Sequence, residues 1–227
     1  MIEKKPRKKP DRNTRERILE TALSLFRKRG FDETTMRDIA SEANVALGAA
    51  YYYFRSKDEI VHAYYQGLNQ EHARRVRAVL ASEIDPRKRL GAMFHTSIEL
   101  LKRDRKIISG LFRSVGEVSE LSPFGKSTAP LRARSVALFE EALEPLALPD
   151  DTRRLTATAL WGAHMAMILY LLHDDSKGLE RTRKLVDGML DLLVPLFPAL
   201  PMLAPSLGDL SQVLRDAGLV ARASISS

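Results

Sequence analysis

The chain has 227 residues and a formal net charge of +7, from 36 Lys and Arg against 29 Asp and Glu, and it contains no cysteine. Its length allows one large or two modest domains with a real buried core, and the lack of cysteine excludes disulfides, a thiolate nucleophile and a cysteine-ligated zinc site. No apolar run follows the Lys-, Arg- and Pro-rich first seventeen residues, so we expect no secretory signal and a cytoplasmic location.

The positive charge is concentrated near the N-terminus. Residues 1 to 80 carry seventeen Lys and Arg against eleven Asp and Glu, a balance of +6 that leaves +1 for the remainder. We predict that residues 1–12, which contain Pro6, Pro10 and almost no apolar side chain, form a disordered basic arm. Such an arm either contributes to phosphate binding or is only solvated, and its composition is compatible with both.

Helical patterns begin directly after this arm. A first helix is predicted from about residue 13 to residue 29, with an apolar face that consists of Ile18, Ala22, Leu25 and Phe26. A short second helix has an apolar face at the spacing i, i+3, i+4, i+7, which consists of Met36, Ile39, Ala40 and Ala43. Thr35 can cap this helix in a capping box with Asp38, and Asn44 tolerates the left-handed backbone of a tight helix exit.

A third helix is predicted directly after this turn. Its outer face is narrow and consists of Gly48, Ala49 and Ala50, whereas we place Tyr51 and Phe54 in the core. Ser56 and Glu59 predict a second capping box, so a fourth helix begins where the third ends. Two short helices at a sharp turn are the layout of a helix-turn-helix, which puts its second helix into the DNA major groove.

These elements resemble the TetR family of transcriptional regulators. The family's motif is carried by Ile39-Ala40, Asn44-Val45, Gly48, Tyr51, Tyr53, Phe54 and Lys57, and the resemblance covers about residues 14 to 65. It implies an all-α chain in which a three-helix helix-turn-helix DNA-binding domain, 13–60, is joined to a helical ligand-binding and dimerisation domain, 61–200. Ala46 departs from the motif, because a Ser or Thr often caps the recognition helix there, and losing such a cap costs about 1 kcal/mol.

The resemblance and the chemistry of the side chains assign the DNA contacts. Thr35 and Lys57, each at a helix start, would hold phosphates, and Arg37 could reach a base or a phosphate. The groove-entering end of the third helix would place apolar groups near thymine methyls, and two tyrosines would face the DNA backbone. These residues are Leu47, Gly48, Ala49, Tyr52 and Tyr53. For every assigned residue, the alternative is ordinary packing or surface exposure.

The remainder of the chain also has a helical pattern. A long fourth helix is predicted from residue 57 to about residue 81, and Asp85-Pro86 marks the boundary after it. Further helices are predicted near 87–103, 105–118, 127–146, 151–173 and 179–196, with a short one around 207–216 in a partly helical extension, 201–227. No strand pattern is evident, so these helices imply a helical bundle.

The uncharged segment 155–172 has two interpretations. Its eighteen residues reach the lower limit for a membrane span, which would make it an anchor. It also contains Thr156, Thr158, Gly162 and His164, and a helix that is apolar all round is equally what the centre of a bundle requires. We therefore predict a bundle helix and no membrane partner.

The resemblance implies a homodimer that forms through the last two long helices, 151–173 and 179–196. The second of these has an apolar stripe that consists of Leu185, Met189, Leu192, Leu193 and Leu196. A dimer would place two recognition helices about 34 Å apart, on successive major grooves, so the implied partner is double-stranded DNA with a palindromic operator.

The resemblance also implies that the bundle binds a small-molecule inducer. The candidates for its pocket are aromatic, Met and His residues: Phe94, His95, Phe112, Trp161, His164, Met165 and Tyr170. Each of them is alternatively a core residue. His164 is the best polar candidate, because it interrupts an apolar helix and needs a hydrogen-bond partner there. The lining favours an apolar ligand, whose binding would release a repressor from its operator.

An enzyme is the main alternative from another class of protein. The sequence contains no Gly-rich phosphate loop, no HExxH or GxSxG motif, and no Asp, Glu and His cluster at metal-ligand spacing. A basic amphipathic protein on an anionic membrane would explain the charge but not the two capping boxes. We therefore predict a transcriptional regulator with no catalytic residue, no metal and no cofactor.

Overall fold

The structure is a computed structural model that describes residues 12–105, 107–109 and 123–203 and the single positions 213 and 216. These residues form α-helices and short 3₁₀ segments but no strand, which confirms the predicted all-α class. The α-helices are α1 (Arg12–Arg29), α2 (Met36–Glu42), α3 (Leu47–Tyr53), α4 (Lys57–Leu80), α5 (Pro86–Leu101), α6 (Ala129–Leu143), α7 (Asp150–His173) and α8 (Glu180–Leu193). The 3₁₀ segments are Glu144–Leu146, Lys177–Leu179 and Val194–Leu203.

Packing divides the chain into two compact units. The first comprises Met1–Leu68 with Asp104–Thr128, and the second comprises Asn69–Arg103 with Ala129–Ser227, as far as their residues are described. The division falls inside α4 rather than at residue 60, because the first turns of α4 contribute Ile60, Val61 and Tyr64 to the core of the first unit. The predicted arm, most of the predicted extension and most of the predicted helix 105–118 lie outside the described residues.

An apolar core joins the helices of the first unit. The buried residues of α1 include the predicted face, which consists of Ile18, Ala22, Leu25 and Phe26. Gly30 ends α1 with φ +95°, a left-handed conformation that favours glycine. The core therefore arises from the helical periodicity of the sequence, and the glycine allows the chain to turn towards α2.

A buried carboxylate also ties the first unit together. Asp104 accepts hydrogen bonds from Nε of Arg27 at 2.6 Å and from the hydroxyl of Tyr64 at 2.8 Å, and Ile107 enters the same unit's core. Burial and the neighbouring carboxylate raise the pKa of Tyr64, which therefore remains a neutral hydrogen-bond donor. The buried acid is tolerated because its charge is paired and hydrogen-bonded.

The second unit is a bundle in which α5 packs against α6, α7 and α8. Its largest buried side chains include Phe94, Phe139, Leu90, Met93 and Ile98. Arg89 on α5 is also buried, and its guanidinium donates to four backbone carbonyls, those of Leu80, Glu83, Glu141 and Ala142. These carbonyls lie in the last turns of α4 and α6 or just after α4. Carbonyls at a helix C-terminus have no N–H partner within the helix, and the buried arginine supplies the missing donors.

The start of α8 is capped by residues that precede it. The buried carboxylate of Asp174 accepts from the backbone N–H and the hydroxyl of Thr182, at 2.9 and 2.6 Å, and from the N–H and hydroxyl of Ser176. The Ser176 hydroxyl accepts in turn from the N–H of Arg181 at 3.0 Å. Leu179 at the N-cap position has no capping side chain, so Asp174 and Ser176 replace an ordinary cap.

Two stretches of the described residues, Asp150–His173 and Lys177–Met202, are long and apolar enough to cross a membrane by length and composition alone. In α7, one side is buried inside the bundle and includes Leu155, Leu160, Trp161, Met167 and Leu171. The other side exposes Leu169 and Tyr170. Such one-sided burial is typical of a bundle helix and agrees with the predicted place of this segment in the bundle.

Candidate nucleic-acid interface

The start of α2 has the predicted capping box. Oγ1 of Thr35 accepts from the backbone N–H of Asp38 at 3.1 Å, and the Asp38 carboxylate accepts from the backbone N–H of Thr35 at 2.8 Å. The hydrogen bond from the Thr35 hydroxyl is the main reason why the pKa of Asp38 is below its usual value. Thr35 and the neighbouring Arg37 are both exposed, so their position is compatible with the predicted DNA contacts.

The turn between α2 and α3 also has the predicted backbone. Asn44 has φ +52°, in the left-handed region, and the N–H of Val45 donates to the carbonyl of Ala40 at 3.0 Å. Asparagine tolerates this conformation better than most residues, which explains how the chain turns sharply here without a glycine. The turn packs α2 against α3, as a helix-turn-helix requires.

The outer face of α3 is open. Leu47 and Gly48 are exposed and Ala49 is partly exposed, and a methyl group added at Gly48 would meet no other atom within 4 Å. As predicted, Ala46 at the N-cap position makes no side-chain hydrogen bond to the helix. Small side chains and free space allow the helix backbone to approach a groove closely.

The inner face of α3 differs from the prediction at Tyr51 and at Ala50, which was predicted on the outer face but is fully buried. Phe54 is buried as predicted, but Tyr51 is 47% exposed, and the placement of Tyr51 in the core was wrong. Tyr53 packs against the core instead, because Ala50, Tyr53 and Phe54 have the spacing i, i+3, i+4 of one helix face. Tyr52 is 65% exposed, and its ring meets the edge of Tyr53 at 5.4 Å between centroids.

The second capping box is present in an altered form. The N–H of Glu59 donates to the hydroxyl of Ser56 at 3.3 Å, but the Glu59 carboxylate accepts from the N–H of Arg55 at 2.8 Å rather than from that of Ser56. This hydrogen bond holds the Glu59 carboxylate at Arg55, the residue directly after Phe54, which is the C-cap of α3. It therefore connects the end of the predicted recognition helix to the start of α4.

Lys57 has partners inside the first unit. Its Nζ donates to the carbonyl of Phe31 at 2.7 Å and to that of Asp32 at 3.4 Å, and it lies 4.4 Å from the centroid of the Phe31 ring. This side chain thus joins the start of α4 to the loop between α1 and α2. A phosphate contact by Lys57 would have to share the ammonium group with these carbonyls.

Sequence reasoning missed Arg15. Its guanidinium lies over the ring of Phe54, 4.7 Å from the centroid, at the end of α3. In the sequence, Arg15 is a basic residue one turn before Ile18, on the same face of α1 as Ala22 and Phe26. Its pairing with Phe54 depends on how α1 packs on α3, which no local pattern encodes.

Of the candidates for ligand binding, the structure brings together Phe94 and His164. Their ring centroids lie 5.6 Å apart, and the His164 ring also stacks on His72 and meets the edge of Phe139. Nε2 of His164 lies 2.7 Å from the hydroxyl of Ser97, whereas its Nδ1 has no hydrogen-bond partner among the described residues. Burial, with a smaller effect of His72, lowers the pKa of His164 to about 3, so the ring is neutral at physiological pH.

Among the described residues, the other candidates lie outside this cluster of rings. Trp161 is buried elsewhere on α7, Met165 is partly buried, and Tyr170 is 42% exposed. Nε2 of His95 lies 2.9 Å from the carboxylate of Asp187 on α8. Phe112 lies outside the described residues.

Comparison with known proteins agrees with this geometry. Residues 18–64 match the family model described as bacterial regulatory proteins of the tetR family, and residues 89–211 match the tetracyclin repressor-like C-terminal domain. A TetR-family regulator from Syntrophomonas wolfei has a similar fold, with a TM-score of 0.66 at 17% identity over 81% of this chain and 96% of that one.

Two curated relatives are also regulators. The HTH-type transcriptional repressor KstR2 of Rhodococcus jostii is 33% identical over 95 residues, which are 42% of this chain and 47% of the relative. The HTH-type transcriptional regulator BetI of Agrobacterium fabrum is 24% identical over 86% of this chain and 95% of the relative. The chain thus aligns with about half the length of KstR2, the relative with the higher identity of the two.

The family models cover both the helix-turn-helix and the bundle, and together they match more than half of the chain. The family and these relatives are transcriptional regulators rather than enzymes. The chain therefore belongs to the TetR family of bacterial transcriptional regulators.

Proposed function

We propose that the protein is a homodimeric repressor, which binds a palindromic operator and leaves it when a small apolar ligand enters the bundle. The observation that carries this proposal is the geometry from α2 to α3, where a capped helix and a tight turn support a second helix with an open outer face. KstR2, which resembles the N-terminal part of the chain, is named a repressor. A regulator of this kind acts where bacterial DNA is, which favours a cytoplasmic location.

The proposed contacts divide into base readers and phosphate binders. Leu47, Gly48 and Ala49 offer no polar base reader, so in this proposal they contact thymine methyls or DNA of a favourable shape. Arg37 is exposed on α2 and can reach a base or a phosphate. Thr35, Tyr52, Tyr53 and Lys57 would position the protein on the DNA backbone.

The proposed dimer uses α7 and α8. Their exposed residues include the large apolar side chains of Leu169, Tyr170, Leu185 and Leu192, and the exposed Leu196 follows in the 3₁₀ segment after α8. On α8 another face is already buried within the unit, through Val186 and Leu190. An apolar face that remains exposed in a single chain is typical of a protein interface, and a two-fold symmetric interface would bury the same residues of both subunits.

The ring cluster in the bundle supports an apolar ligand with one polar group. A neutral His164 among Phe94, Phe139 and His72 favours an uncharged molecule, because an ion would lose its hydration without gaining a countercharge there. Nδ1 of His164 could form one hydrogen bond to such a molecule. Ligand binding would release DNA only if the ligand prefers a dimer whose recognition helices no longer fit successive grooves.

The experiment uses the full-length protein and a palindromic site from the DNA that flanks its own gene. Binding is measured by fluorescence anisotropy against competitor DNA, with and without a panel of neutral acyl and aromatic compounds. We expect a strong preference for the site, its loss when about half a helical turn is inserted between the half-sites, and release by at least one compound. No preference over competitor would refute the regulator proposal, and unchanged affinity at saturation with every compound would refute apolar induction.

A further inference from the structure

Among the described residues of the first unit, two cations lie over aromatic rings, and they differ in what their N–H groups do. The ammonium of Lys57 lies over Phe31 and donates to two backbone carbonyls. The guanidinium of Arg15 lies over Phe54 but makes no hydrogen bond or ion pair with the described part of the chain. Two of the three donors of Lys57 are therefore occupied, whereas the donors of Arg15 remain available.

The contact with Phe54 leaves the hydrogen-bond donors of Arg15 free. A guanidinium carries five N–H donors in a planar fork, and lying over a ring does not pair any of them with an acceptor oxygen. Two parallel N–H groups of this fork match two oxygens of a phosphate. Because Phe54 already holds the side chain, less conformational entropy is lost when a phosphate binds than for an unsupported arginine.

The position of the ring relates Arg15 to DNA. Phe54 is the C-cap of α3, so the guanidinium lies at the end of the helix that we propose enters the major groove. Arg15 is exposed, and the next residue after Phe54 is the exposed Arg55, which adds positive charge to the same end. The walls of the groove on both sides of a recognition helix are phosphates.

We propose that Arg15, held by Phe54, binds a phosphate at the edge of the groove that α3 occupies. This inference rests on the proposed DNA-binding function and adds a contact from α1. Arg15 is a positioning residue in this proposal, because a phosphate contact carries no base information. Lys57, by contrast, already joins α4 to the loop after α1, so a phosphate would share its ammonium group with two carbonyls.

The test compares Arg15→Met with Arg17→Met in the full-length protein. Both variants lose one exposed positive charge from α1, but Arg17 projects about 200° further round the helix axis. Met keeps aliphatic cover over Phe54 while it removes the charge and the N–H fork. Affinity for the palindromic site and for competitor DNA is measured over a series of salt concentrations, and thermal unfolding is measured in parallel.

For Arg15→Met we expect about a tenfold loss of affinity for both DNAs near 0.15 M salt, and a salt slope that is shallower by about two for a dimer. Arg17→Met should stay within about twofold of wild type, and neither variant should unfold at a much lower temperature. Arg15→Lys, which keeps the charge without the fork, should keep most of the salt slope but recover only part of the affinity. Lys57→Met should lower the unfolding temperature.

Equal affinities and slopes for the two Met variants would overturn the proposal. The proposal would also be overturned if Arg15→Met lost affinity only for the palindromic site and not for competitor DNA. A clearly lower unfolding temperature of Arg15→Met would overturn it as well, because the loss of affinity would then come from the fold. Failure of the DNA-binding function itself is recognised separately, because the wild-type protein would then show no preference for the palindromic site.

Discussion

Replacing Leu192 by Asp should convert the proposed dimer to a monomer. Leu192 lies on α8 with 73% of its surface exposed, one heptad after the exposed Leu185. Burying a whole Leu side chain contributes about 1.5–3 kcal/mol, so the exposed part of Leu192 would contribute about 1–2 kcal/mol per subunit, and twice that in a symmetric dimer. An unpaired carboxylate at the same place adds a desolvation cost, for a total of at least about 4 kcal/mol and about a thousandfold rise in the dimer Kd.

Sedimentation equilibrium over a range of protein concentrations measures this change directly. The matched control is Ile84→Asp, because Ile84 is 79% exposed and lies between α4 and α5 rather than on α7 or α8. We expect Ile84→Asp to dimerise like wild type, and Leu192→Asp to lose operator affinity together with its dimer. A dimer Kd for Leu192→Asp within tenfold of wild type, or an equal loss in the control, would refute the proposed interface.

Two further predictions concern helix starts. Asp174→Asn should cost about 2 kcal/mol at pH 7, because Asp174 accepts four hydrogen bonds from Ser176 and Thr182. Burial raises the pKa of Asp174, but these bonds outweigh it and hold the pKa well below its usual value, so the ionised form stabilises the fold above about pH 4. The gap between wild type and variant in urea unfolding should therefore shrink as the pH falls below 4, and a constant gap would contradict this assignment. Ala46→Ser should supply the missing cap of α3 and raise stability by about 1 kcal/mol, or roughly 2–4 °C in Tm by calorimetry; an unchanged Tm would show that the added hydroxyl does not cap the helix.

The features of the helix-turn-helix that the sequence predicted correctly are local. The capping box of Thr35 and Asp38 involves residues three apart, and the left-handed turn at Asn44 depends on that residue's own side chain. Neither depends on the rest of the fold. The missing cap at Ala46 was predictable for the same reason.

The predictions that failed or were incomplete required knowledge of neighbours. Tyr51 and Tyr53 are both compatible with an inward face in the sequence, and the orientation of α3 on the core selected Tyr53. Glu59 has two N–H groups within reach, and the local path of the chain favours that of Arg55 over that of Ser56. Of the candidates for a ligand pocket, only some meet in one cluster, because positions on different helices come together through packing and not through spacing.

The sequence by itself determined the all-α class, the family and the places where helices of the first unit begin and end, because periodicity and capping act over one or two turns. Only the tertiary structure decided that Lys57 is bonded to the loop after α1, that Arg15 rests on Phe54 and that Asp174 caps α8. It also decided which side of α7 and α8 remains uncovered within the chain. Contacts of this kind join residues that are separated along the chain, and their distances are set by how whole helices pack.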